Sequence, residues 1–113
     1  MVRGFLAAAS LTALVAACAS MGGRVGGLPP SAAARGHEVA RRACAACHAV
    51  EAQGVSPRVK APAFASQEMR HTASLQDRVA DLTRRGHYDM PPLKLSPDEV
   101  RDLVSYIASL EGR

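Results

Sequence analysis

The chain has no tryptophan, and only two phenylalanines and two tyrosines among its 113 residues. Phe5 lies in an apolar leader, so Phe64, Tyr88 and Tyr106 are the large aromatics left to the rest, and side chains alone would make a thin core. No apolar stretch reaches the ~20 residues that a membrane helix needs. The net charge is +4, yet no basic run exceeds two residues, which makes a nucleic-acid surface a weak reading. No strand–helix alternation of the kind that carries a thioredoxin-like redox pair is visible, and there is no internal repeat. A zinc site would normally need two cysteine or histidine ligands at paired spacing beside a cysteine pair, and of the three cysteines one lies in the leader.

What the chain does have is Cys44-Ala45-Ala46-Cys47-His48. In a helix or helix-like turn, Cys44 and Cys47 fall three residues apart on one face, so two thiols can reach the two vinyl groups on one edge of a porphyrin while His48 offers an imidazole to the iron. The competing readings of the five residues are a thioredoxin-like dithiol, half of a zinc site, and chance in an alanine-rich stretch. C-x-x-C-H occurs once, which excludes a multihaem array within this chain. A porphyrin would also supply the bulk that the thin aromatic inventory lacks.

Three regions follow in order. Residues 1–18 read as an export signal: Arg3, an apolar run from Phe5 to Ala17, and small residues at the end. Val15-Ala16-Ala17-Cys18 resembles a bacterial lipobox, with Cys18 as the lipid-bearing first residue of the mature chain. Cleavage after Ala19 and retention as a membrane helix are the alternatives. Residues 19–33, rich in Gly, Ser, Ala and Pro, read as a flexible tether with a root-mean-square reach of roughly 20 Å. Residues 34–113 form the head.

In the head, a first helix is expected over Ala34 to Ala46, with Gly36, Ala40 and Cys44 as a small-residue stripe that permits close approach of another helix. His37, Glu38, Arg41 and Arg42 fall on other, solvated faces. Gly54, Pro57 and Pro62 punctuate an irregular loop that needs something to pack on. A second helix is expected over Ser74 to Arg85, with Leu75, Val79 and Leu82 inward, an Asp81–Arg85 pair and Gly86 past its end. His87 to Pro92 reads as an extended strap, because residues before proline avoid the helical region. Met90 on that strap either lies across a haem face or merely fills a gap in the core. His71 and His87 are candidate replacements for it, and Met69 reads as packing or surface. Ser96-Pro97-Asp98-Glu99 is a capping box opening a last helix that runs to about Glu111 and buries Val100, Leu103, Val104, Ile107 and Leu110. Three helices without a convincing strand give an all-α fold.

Taken together, Gly36-x-x-x-Ala40-x-x-x-Cys44, the C-x-x-C-H run, Ala61-Pro62-Ala63-Phe64, Met90-Pro91 and Tyr106-Ile107 resemble a small bacterial single-haem cytochrome c over roughly Ala34 to Leu110. The resemblance implies three main helices and loops wrapped around one covalent haem c. It implies attachment at Cys44 and Cys47, iron ligation by His48 and Met90, and a Pro62 carbonyl that orients His48. It implies that the last helix crosses the first, with an aromatic near Gly36. The function it implies is one-electron transfer between redox proteins outside the cytoplasm, by docking of basic residues on acidic partners, with neither a small-molecule substrate nor nucleic acid involved. A haem-bearing subunit of a larger dehydrogenase or oxidase, or a ligand-binding or peroxidatic haem protein with Met90 unbound, are the alternatives.

Overall fold

The computed structural model describes residues 30–73, 76–111 and 113, and the expected export signal, Cys18, most of the tether, Ser74 and Leu75 lie outside them. Among the described residues four helices follow one another: α1 (Ala32–Ala43), α2 (Gln67–Ala73), α3 (Gln76–Arg85) and α4 (Pro97–Ser109). Among the described residues there is no strand, only an isolated bridge between His87 and Met90. The fold is all-α, as the sequence led us to expect.

The fold is built on the crossing of α1 and α4, its largest contact between helices. Gly36 makes that crossing possible. A Cβ placed on it would lie 1.9 Å from the Asp102 carbonyl oxygen and 2.8 Å from Tyr106 Cβ, so the two backbones meet where a side chain has no room. The stripe continues through Ala40, wholly buried, and Cys44, and faces Leu103, Tyr106, Ile107 and Leu110 of the last helix. Both helices are capped by serines: Ser31 Oγ accepts from the Ala34 N–H, and Ser96 with Glu99 forms the reciprocal capping box. At the rim Arg35 grips Asp102 with two nitrogens, 2.7 and 2.8 Å from its carboxylate oxygens, and Arg42 reaches Glu99 at 2.5 Å.

Three expectations need correction. A helix absent from the sequence reading, α2, stands before α3; Ser66 Oγ accepts from the Met69 N–H at its start, and Met69 packs against the core. The inward face of α3 runs through Val79 and Thr83, with Leu82 half-buried. Thr83 tolerates burial because its hydroxyl donates back to the Val79 carbonyl at 2.8 Å. Lastly, His37 is not merely solvated. Its ring lies 4.7 Å from that of Tyr106 and its Nε2 is 2.8 Å from Glu51 Oε1, which ties α1 to the loop after His48.

Candidate functional site

The C-x-x-C-H run begins where α1 ends. Cys44 caps the helix, its N–H donating to the Ala40 carbonyl. The chain then turns once more: the Cys47 and His48 N–H groups both donate to the Cys44 carbonyl, at 3.1 and 2.9 Å. That turn holds the two sulfurs and the imidazole within five residues of a buried helix end. Neither thiol is in a disulfide. Burial pushes the Cys44 thiol up to about 11, so the unmodified chain carries it protonated, contrary to what a thioredoxin-like nucleophile needs. No three His, Cys, Asp or Glu side chains converge as a metal cluster among the described residues.

The loop that follows folds back onto the motif. The Phe64 N–H donates to the Ala49 carbonyl (2.9 Å), the Arg58 N–H to the Cys47 carbonyl (3.1 Å) and the Ala49 N–H to Ser56 Oγ (3.0 Å). Tyr106 secures the same loop from α4, its hydroxyl donating to the Val50 carbonyl at 2.6 Å. The result places His48 Nδ1 2.8 Å from the Pro62 carbonyl oxygen, with Phe64 beside the ring at 5.4 Å between centroids. A carbonyl only accepts, so Nδ1 carries the proton and Nε2 keeps its lone pair for a metal. Outer-shell bonds of this kind orient and strengthen a ligating imidazole.

Met90 follows α3 on the strap. The strap is not simply extended, as the sequence suggested. The His87 N–H donates to the Met90 carbonyl (3.0 Å) and the Met90 N–H to the His87 carbonyl (2.8 Å), closing a tight turn whose Tyr88 takes the left-handed region at φ 49°. Gly86 enters the turn at φ 79°, and a Cβ there would sit 2.7 Å from the Met90 carbonyl oxygen. After Pro91 and Pro92, the Leu93 N–H donates to the Thr83 carbonyl at 2.6 Å, which fastens the strap to α3. A cavity of about 420 Å³ is bounded by this turn from Arg85 to Pro92. A second, of about 580 Å³, lies between α3, the strap and the start of α4, with Ala80, Thr83, Leu93, Leu95 and Val100 among its lining. Cys44, Cys47 and His48 line neither.

An all-α domain with a C-x-x-C-H turn closing its first helix, an imidazole pinned by a carbonyl and a later Met-Pro strap defines the class of small c-type cytochromes. Residues 31–107 match the family of cytochrome C oxidase, cbb3-type, subunit III, and the chain belongs to it. It is similar to cytochrome c-552 of Bradyrhizobium diazoefficiens, with 35% identity over 78 residues, or 69% of this chain and 74% of that protein. No solved structure matches. The family's cofactor is covalently bound haem c, and this chain has the donor set for it: two unpaired thiols in one turn and an imidazole with Nε2 available.

Proposed function

We propose that the chain is a one-electron carrier outside the cytoplasm, with haem c joined to Cys44 and Cys47 and its iron held by His48 Nε2 and the Met90 sulfur. The single observation that supports this most is the 2.8 Å bond from His48 Nδ1 to the Pro62 carbonyl, which fixes the tautomer that a ligand must have. When bound, haem supplies reversible one-electron exchange between Fe(III) and Fe(II). The residues set its terms. His48, backed by Pro62 and Phe64, keeps one orientation in both oxidation states. Met90 contributes a soft thioether that favours Fe(II) and raises the potential. A haem iron held by both His48 and Met90 would leave no site for a substrate, so the reading is a carrier and not an enzyme.

Docking falls to the loop from Gly54 to Lys60, which is bonded to Cys47 through Arg58. It carries Val55 and Val59, 93% and 99% exposed, beside Arg58 and Lys60. Apolar contact ringed by positive charge suits brief encounters with an acidic redox protein. Among the described residues no helix is long and apolar enough to cross a membrane. The lipobox-like run Val15-Ala16-Ala17-Cys18 supports attachment through lipid on Cys18, with the residues from Ala19 up to the Ser31 cap as tether; several acyl chains, each buried methylene contributing ~0.8 kcal/mol, anchor firmly where one binds reversibly. Mass spectrometry of the mature N-terminus decides this part, an unmodified Ser20 excluding it.

A second reading, a haem-bearing subunit of a larger oxidase, draws on the subunit III family itself. The two are separated by purification from native membranes under mild detergent together with carbon monoxide binding. A carrier comes away without a stoichiometric partner and, when reduced, binds carbon monoxide slowly. A stable partner favours the subunit, and rapid binding favours an unbound Met90.

A further inference from the structure

Met90 shares its turn with His87, whose imidazole is also of a type that can ligate iron. His87 and Met90 are a directly opposed antiparallel pair that exchanges both main-chain hydrogen bonds. Opposed residues of this type have Cα atoms about 5.5 Å apart and project their side chains on the same face of the hairpin. Whichever face Met90 turns to the iron, His87 turns the same one. The His87 residue is exposed and its ring rests on that of Tyr88, 4.1 Å away, which is itself 94% exposed, so moving the imidazole disrupts little buried packing. The other histidines are placed differently: His48 is bonded to Pro62, His37 is held between Glu51 and Tyr106, and His71 lies in α2.

We propose that His87 is a reserve axial ligand, which takes the sixth position on the iron when the Met90 sulfur leaves it. The proposal rests on Met90 being the axial ligand in the first place. In the exchange one coordinate bond, iron to sulfur, breaks and one, iron to a ring nitrogen of neutral His87, forms from the nitrogen lone pair; no electron or proton is transferred. Once the sulfur bond has been lost, the oxidised iron favours the exchange, since a harder Fe(III) holds imidazole better than a soft thioether. The hairpin moves by about the spacing of the opposed pair, ~5.5 Å, pivoting on Gly86 and on the prolines that follow. The effect is protective. A chain that has lost its thioether keeps six ligands and does not open to small molecules, and its potential falls so that it drops out of the carrier pool.

The test uses the full, haem-loaded chain in the oxidised state, read by visible, far-red and electron paramagnetic resonance spectra. The wild type must show the sulfur–iron charge-transfer band; its absence overturns the Met90 assignment and this proposal with it, and is read before any substitution is made. Met90→Leu preserves apolar volume and removes the donor. It is expected to lose the band yet stay low-spin with a bis-imidazole signature, unchanged on dilution. Met90→Leu with His87→Ala is expected to become high-spin. A high-spin single variant, a low-spin double variant, or a signature that fades on dilution overturns the reserve ligand while leaving Met90 in place. If Met90→Leu does not fold, mild guanidinium on the unsubstituted chain replaces it: the sulfur band should give way to the bis-imidazole signature there and not in His87→Ala. The same response from both overturns the proposal.

Discussion

Replacing Gly36 by alanine adds one methyl group, and the structure states what that group meets. Its carbon would lie 1.9 Å from the Asp102 carbonyl oxygen and 2.4 Å from the carbonyl carbon. These are backbone atoms in the middle of α4, so no side-chain rotation relieves the clash. Ordinary contact begins near 3.4 Å, so the helices would have to separate locally by roughly 1.5 Å. Separation at that point loosens Tyr106, whose Cβ is the next neighbour at 2.8 Å, and with it the hydroxyl that holds the loop after His48. Overpacking of a close-packed interior costs about 1–3 kcal/mol and more where the backbone must shift, against a gain of ~1 kcal/mol from the better helix propensity of alanine. A net loss of about 2 kcal/mol lowers the melting temperature of a domain this size by roughly 8–16 °C. Thermal unfolding of the haem-loaded chain by circular dichroism measures it, with Arg41→Ala on the exposed face of α1 as control. A Gly36→Ala protein that melts with the control or above it refutes the crossing as described.

Three further outcomes follow from the geometry. Gly86→Ala forces a side chain into φ 79° against the Met90 carbonyl, and is expected to weaken or abolish the sulfur–iron band while leaving the haem attached after acid–acetone extraction. Cys44→Ala combined with Cys47→Ala removes attachment. Because few large side chains support the core, circular dichroism of that variant should show a largely unfolded chain, and a cooperative apo-protein would contradict the dependence. Stability should fall in acid. The Asp102 carboxyl is held below its ordinary 3.8 by Arg35, the Asp81 carboxyl by Arg85, and Glu99 below 4.5 by the Ser96 N–H and Arg42. Each is depressed by folding, so its contribution is complete above the ordinary value and is lost as pH drops through the lower folded one. Melting temperatures measured downward from pH 5 should decline, and Asp102→Asn should flatten part of that decline.

Much of the fold around the candidate site was legible in the chain because its signals are local or sterically forced. The capping box at Ser96 and Glu99 announces α4, and Gly36, Ala40 and Cys44, four apart, announce a face too small for anything but another helix. The bond from His48 to the Pro62 carbonyl followed from the family resemblance, not from any pattern in the residues. What escaped the sequence reading is of another kind. Helix α2 has seven residues, too few for periodicity to speak, although Ser66 followed by Gln67 and Glu68 is a start signal. His37 reads as a solvated residue in the sequence because its partners, Glu51 and Tyr106, lie far along the chain. The turn at His87 to Met90 was hidden because Tyr88, not a glycine or asparagine, occupies the left-handed position. Tertiary partners settle all three.

The central claim is that His48 and Met90 hold the iron of a covalently attached haem between them. The most direct measurement is the far-red spectrum of the oxidised protein, before and after Met90→Ala. A sulfur–iron charge-transfer band is expected in the wild type and is expected to vanish in the variant, with the haem still bound to Cys44 and Cys47. A wild-type spectrum without the band, or a band that survives the substitution, would contradict it.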